Sequence, residues 1–189
     1  MAVLIGTTDQ TGAANTFFFD ASQDATKRTC DTSGTLESLT MVVRNSSVSM
    51  SLKLAIWADS AGAPGALLGQ TDVVSGTAAV GTFEVTADLL ATVALTSGTD
   101  YWLGFLAYGA TFNAVNSGTA GTRGRNLTAG TSSPANPFGS HDYTLTEGML
   151  IRGDGTASGG GGGTEDQFVR AGGVWLPSDR QARANGVWV

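Results

Sequence analysis

The chain has 189 residues, enough for one sizeable core, and a domain of this length buries about 70% of the surface its unfolded chain exposes. Charged residues are only 14% of it, glycine fills 27 positions, and ten cations against sixteen acids leave a net charge of −6. Scattered cations make no stripe for nucleic acid, the acidic balance argues against docking on anionic lipid, and the composition suits short strands joined by many turns.

The first residues, MAVLIGTTDQTG, hold a short apolar run with no basic leader and do not read as a signal peptide. No stretch approaches the roughly 20 apolar residues of a membrane span, so no membrane partner is expected. The single Cys30 cannot form an intrachain bridge. Either the protein matures in a reducing compartment or the thiol is a small core residue, and the core is the default reading.

Along the chain, period-2 alternation outweighs any helical period. After a first candidate strand at Thr16 to Phe19, residues 36–43 (LESLTMVV) bring Leu39, Met41 and Val43 to one face. Met50, Leu52, Leu54 and Ile56 then interleave with Ser51, Lys53, Ala55 and Trp57, which describes a half-buried strand. In the turn that follows, Pro64 presets φ near −65° and Gly65 is expected to supply the positive φ of a type II turn, with Asp59 and Ser60 accepting backbone hydrogen bonds. Leu68 to Val74 and residues 80–86 (VGTFEVT) are further strands, Ala87 to Leu90 is the only plausible helical turn, and Thr92 to Leu95 follows. Residues 100–108 (DYWLGFLAY) are apolar on both faces, as in the middle of a packed sheet. Residues 109–146 lack periodicity and read as an extended loop system with a strand or two inside it, before a last strand at Glu147 to Arg152. The expected fold is all-β, a β-sandwich of jelly-roll-like form.

Residues 153–163 (GDGTASGGGGG) have the composition of a flexible linker. They divide the chain into a sandwich at 1–153, a linker at 154–163 and a small C-terminal β-hairpin tail at 164–189. In that tail FVRAGGVWL (168–176) recurs thirteen residues later as QARANGVWV (181–189). Gly172-Gly173 and Asn185-Gly186 suit the two-residue loops of type I′ hairpins. Ala171 then faces Val174 and Arg170 faces Trp175, and likewise Ala184 faces Val187 and Arg183 faces Trp188. Two such hairpins are too small to stand alone in water. They either fold back on the sandwich or dock on another subunit, with Phe168, Arg170, Val174, Trp175, Arg183, Val187 and Trp188 as the assembly surface.

Catalytic chemistry finds little support. His141, the only histidine, precedes Asp142 in a Pro/Ser/Gly loop, and no serine sits in a nucleophile elbow. Glu84, Asp88, Asp142 and Glu147 are available as glycosidase acids, but with no pocket to bring two of them together each reads as a solvated strand-end residue. One cysteine and one histidine do not make a zinc site, Asp59 lacks the alternating carboxylates of a calcium loop, and the glycine run ends in Thr-Glu-Asp instead of Lys-Ser/Thr. The reading is therefore non-enzymatic, with no cofactor and no metal. Binding candidates are easier to name. Trp57 lies opposite Leu54 and Ile56 beside Lys53, where it could stack on a sugar or a neighbouring subunit, or be covered by a loop of its own chain. Tyr108, Phe112, Phe138 and Tyr143 flank the long loops, and Arg123 with Arg125 could meet acidic sugars or a partner's carboxylate.

Residues 52–70 (LKLAIWADSAGAPGALLGQ) followed by VALTSGTDYWLGF at 93–105 resemble a β-sandwich module of bacteriophage virion, tail-fibre and bacterial surface proteins. Asp59, Ser60, Gly62, Pro64, Gly65, Leu67 and Leu68 match its turn, and Leu95, Gly98, Tyr101 and Trp102 its later strand. The paired GGVW and NGVW are similar to the C-termini of many phage tail and virion proteins. The resemblance implies a virion surface protein, a capsid decoration or a head or tail fibre component. Such a protein is made in the host cytoplasm, forms a homo-oligomer and contacts virion structural proteins. The alternatives are a carbohydrate-binding adhesin for host surface polysaccharide and a secreted glycan-binding module.

Limited proteolysis tests the division of the chain. Cleavage is expected within residues 153–163, leaving a folded main domain, and an isolated protein that resists cleavage there contradicts the two-unit organisation.

Overall fold

The structure, a computed structural model, describes residues 1–10, 14–17, 22–45, 49–77, 81–107, 113–126, 133–139, 143–158, 168–171, 174–177, 183–184 and 187–188. In chain order the strands are β1 (Ala2–Thr7), β2 (Ala14–Phe17), β3 (Gln23–Thr29), β4 (Gly34–Asn45), β5 (Ser49–Ser60), β6 (Ala63–Gln70), β7 (Val74–Thr77) and β8 (Gly81–Leu95). They continue as β9 (Asp100–Ala107), β10 (Asn113–Asn126), β11 (Tyr143–Met149), β12 (Ile151–Ala157), β13 (Phe168–Ala171), β14 (Val174–Pro177), β15 (Arg183–Ala184) and β16 (Val187–Trp188). The described residues contain no helix.

The first unit, Met1–Ser158, is a β-sandwich of two packed antiparallel sheets. One runs β1-β12-β4-β8, the other β6-β5-β9-β3-β10 with β11 on β10. β10 links the layers, pairing with β4 through Asn113 and Ala114 and with β3 through residues 123–126. The main core lies where the inner faces meet. Leu39, Met41, Val43, Val85 and Ile151 come from the first sheet, and Leu52, Leu54, Ile56, Leu103 and Phe105 from the second. Alternation sends their neighbours outward, as a pleated strand requires. Cys30 is a buried core residue whose thiol is pushed up by that burial.

β9 sits between β3 and β5 and is buried along nearly its whole length, as its two apolar faces require. The expected strand at Glu147 to Arg152 is split at Leu150 between β11 and β12, and three other departures from the sequence reading stand out. Ala87 to Leu90 is not a helical turn but part of β8, which pairs with β4 as Ser38↔Asp88 and again as Leu36↔Val93. The residues between bulge outward, and Leu89 bridges Thr71. A waiting strand edge outweighs the local helical preference of Ala-Asp-Leu-Leu.

The turn after β5 is likewise displaced. Ala61 (φ 52°) and Gly62 (φ 85°) form a two-residue hairpin loop between the paired Ser60 and Ala63, so the positive φ falls there and not at Gly65. Asp59 Oδ2 accepts the Gly62 N–H at 3.0 Å, while Pro64 lies within β6, an edge strand that tolerates a missing N–H. The expected strand at Leu68 to Val74 is split accordingly between β6 and β7. The third departure is at the far end. Residues 153–157 belong to β12, where Gly153 and Gly155 are buried against β4, so the sandwich runs to Ser158 and the expected cleavage narrows to residues 159–163.

The second unit, Gly159–Val189, holds two separate hairpins. Their registers are those expected: Arg170↔Trp175 and Ala171↔Val174 in β13–β14, Arg183↔Trp188 and Ala184↔Val187 in β15–β16.

Gly104 tests the packing of the central strands. A Cβ there would run into the Asp24 carbonyl oxygen and come within 2.7 Å of the Ala25 Cα. Gly104→Ala is expected to destabilise the sandwich by about 1–3 kcal/mol, read as a lower urea midpoint. An unchanged midpoint contradicts this close approach of β3 to β9.

Candidate functional site

The outward face of the second sheet carries the chemistry most open to recognition. On β5, Lys53, Ala55, Trp57 and Asp59 alternate away from the core. By register Trp57 pairs with Trp102 of β9, and Trp102 with Lys27 of β3. Trp102 Nε1 donates to Asp59 Oδ1 at 2.8 Å, which ties the second indole to the carboxylate two residues beyond the first. Lys27 Nζ lies 3.0 Å from Asp100 Oδ2, and Thr29 Oγ1 donates to Asp100 Oδ1 at 2.7 Å. The Thr29 hydroxyl, followed by the Lys27 ammonium, holds the Asp100 carboxyl below its usual range. The hydrogen bond and charge of Asp100, with a smaller contribution from Asp59, raise Lys27. This pair is partly solvated, and such pairs contribute about 0–1 kcal/mol.

The two indoles do not face solvent. Residues 133–139 (SPANPFG) cross this face as a strap, reaching from β3 to β6. Ala135 N donates to Gln23 Oε1 at 2.7 Å, and Ala135 O accepts from Trp57 Nε1 at 3.0 Å. Further along, Asn136 Oδ1 accepts from Leu67 N at 3.1 Å, and Phe138 N donates to Gly65 O at 3.0 Å. The Phe138 ring meets Trp57 edge-on, with centroids 5.2 Å apart and planes at 82°. Such a pair adds about 0.5–1.5 kcal/mol beyond area burial. Trp57, Trp102, Phe138, Ala25 and Ala55 form a second hydrophobic cluster, with Leu67 against it.

Two candidates from the sequence are therefore corrected. Trp57 and Phe138 are both fully buried, each covering the other, and neither is an open stacking surface. Of the two readings of Trp57, cover by a loop of its own chain is the one observed. Nothing in the strap's composition announces this, although a lone Phe among prolines beside a lone outward Trp is a pair worth matching. Lys53 is half-buried on β5 opposite Leu106. Arg123 and Arg125, read as loop residues, lie in β10, where Arg125 stands between Asp24 of β3 and Tyr143 of β11, and Arg123 between Thr26 and Leu145. Tyr108, Phe112 and His141 lie outside the described residues.

A second polar group sits on the other sheet. Arg152 Nε lies 3.0 Å from Asp154 Oδ2 and its Nη2 3.6 Å from Glu84 Oε2, and Nη1 donates to Thr8 Oγ1. Thr40 Oγ1 shares Asp154 Oδ2. These bonds tie β1, β4, β8 and β12 together. Among the described residues no group of three His, Cys, Asp or Glu side chains could hold a metal ion. Under the strap, Gln23 Nε2 is buried without a hydrogen-bond partner among the described residues, at a cost of about 1–3 kcal/mol.

Removing the Phe138 ring should be felt as the loss of a core residue. Phe138→Ala is expected to cost about 3 kcal/mol in urea unfolding, against less than about 0.5 kcal/mol for the exposed Leu68→Ala. Equal effects of the two substitutions contradict a second core beneath the strap.

No protein-family model matches this chain, and no curated protein matches it either.

Proposed function

We propose that this chain is a non-enzymatic bacteriophage virion surface protein, a capsid decoration or a head or tail fibre component, that acts by protein–protein assembly through its C-terminal hairpins. The observation that carries the proposal is the repeated register. Arg stands opposite Trp, and Ala opposite Val, on each side of a two-residue loop, twice in one short tail. Hairpins of two strands are marginal in water, so a tail built from them gains its stability from a partner. In β13–β14, Val169, Ala171, Val174 and Leu176 share one face and Phe168, Arg170, Trp175 and Pro177 the other. Arg170 is the one charged residue among these eight positions, fewer than a free-standing hairpin would turn to water. A duplicated surface on each chain also suits a symmetric homo-oligomer or a repeating virion lattice, where a second weak contact is made at high effective concentration.

A carbohydrate-binding adhesin is the second reading. It is favoured by the Trp57–Trp102 pair with Asp59, Asp100 and Lys27 on the same face, all of them on the sandwich and none on the tail.

The tail is tested by removal. Truncation after Gly163, or Trp175→Ala with Trp188→Ala, is expected to leave the unfolding midpoint of the sandwich unchanged and to abolish oligomerisation in light scattering, or incorporation into particles. A truncated chain that assembles with undiminished occupancy overturns the proposal and moves the interface to the sandwich.

A further inference from the structure

We infer that the 133–139 strap is a displaceable lid, and that the face beneath it is a latent site for a pyranose-type saccharide. The inference rests on the adhesin reading and is independent of assembly through the tail.

The face has two chemistries side by side. Trp57 and Trp102 are direct cross-strand neighbours, which places two indoles next to each other on one side of the sheet. The Ala55–Gly104–Ala25 row lies one pair further on, where the side chains are small and the alanines pack in one cluster with Phe138. On the other side of the indoles stand Asp59, Asp100, Lys27 and Thr29. A saccharide ring has the complementary character, with C–H faces for indole and hydroxyls for carboxylate, ammonium and hydroxyl partners. In the closed arrangement Phe138 occupies the apolar half of this face as a ring-shaped stand-in.

The four strap hydrogen bonds described above can be released together without unpairing a strand. They run to the Gln23 and Trp57 side chains, to Leu67 N and to Gly65 O. None of these is a rung of the β5–β9 or β3–β9 ladders. The closed state also leaves one demand unmet. Gln23 is fully buried, its Oε1 accepts from Ala135 N, and its Nε2, on the same amide head, has no partner among the described residues. A ligand hydroxyl entering as the strap leaves would give that donor an acceptor. The strap thus competes with a ligand for the same ground, and the affinity of the closed protein is reduced by the fraction of time the lid is open.

Hydrogen exchange separates strap from sheet within one native sample, because the two indole N–H groups report on different partners. Trp57 Nε1 is bonded to the strap and Trp102 Nε1 to Asp59 of the sheet. The expected result is that Trp57 Nε1–H and the Phe138, Ala135 and Leu67 amides exchange at one common rate, at least about tenfold faster than Trp102 Nε1–H. In parallel, the full chain and Phe138→Ala are titrated with chito-, malto- and xylo-oligosaccharides while tryptophan fluorescence is followed. Binding about tenfold tighter in Phe138→Ala, lost again on adding Trp102→Ala, supports the lid and the site. Strap and sheet groups exchanging together, only on global unfolding, overturn the lid. Exchange as expected, with no saccharide bound by either protein, overturns the site. If Phe138→Ala does not fold, Asn136→Ala, which removes only the acceptor for Leu67 N, replaces it with the same expected direction. Loss of oligomerisation on tail truncation bears on neither result, so the two readings fail separately.

Discussion

A central strand with two apolar faces must be covered twice, and most of this sandwich follows from that demand on β9. Inward, Leu103 and Phe105 meet the first sheet, which is the ordinary bargain of a sandwich. Outward, Trp102 next to Trp57 would leave a broad apolar surface in water, and full burial of one such side chain is worth about 1.5–3 kcal/mol. A second layer of strands would satisfy it, but among the described residues that face is met by the strap. A short strap carrying one phenylalanine does so instead, and it meets the polar atoms of the indole and of β6 with its own backbone and Asn136.

How much of this is legible in the sequence varies with the kind of cover each segment receives. Residues 36–43, 51–57 and 100–107 are readable because their alternation, or its absence, reflects burial by regular strands. β3 is not readable, since QDATKRT looks like a solvated loop. Its inward positions carry Asp24, Thr26 and Arg28, polar groups met only in part inside the fold: Arg28 Nη2 donates to Met149 O at 2.7 Å, while Arg28 Nε and Asp24 Oδ1 have no hydrogen-bond partner among the described residues. β10 is hidden for a related reason, because glycine and threonine dominate a strand specified by pairing with four neighbours more than by side-chain pattern. The strap was beyond reach, since its place depends on contacts from 69 to 112 residues away in sequence. The tail stands at the opposite extreme. Its register is fixed by two-residue loops, a purely local matter, and the sequence specifies it residue by residue.

Buried charge shows the same economy. Arg28 is largely desolvated, which lowers its pKa from the ordinary guanidinium value, yet it keeps a carbonyl partner and lies against Gly148, where any side chain would crowd the guanidinium. Removing one member of such an arrangement leaves the rest buried and unmet, so these polar positions constrain the sequence as tightly as the aliphatic core does.

The strap's bond to Gly65 O, and the Asn136 oxygen on Leu67 N, have an effect apart from covering tryptophan. β6 closes its sheet, and a terminal strand with unengaged N–H and C=O groups invites a strand from another molecule. Here two of those groups, Gly65 O and Leu67 N, are already engaged, by a segment rich in proline that cannot itself extend the ladder. Wherever copies of one chain are crowded together, such an edge guard works against sandwiches zipping edge to edge.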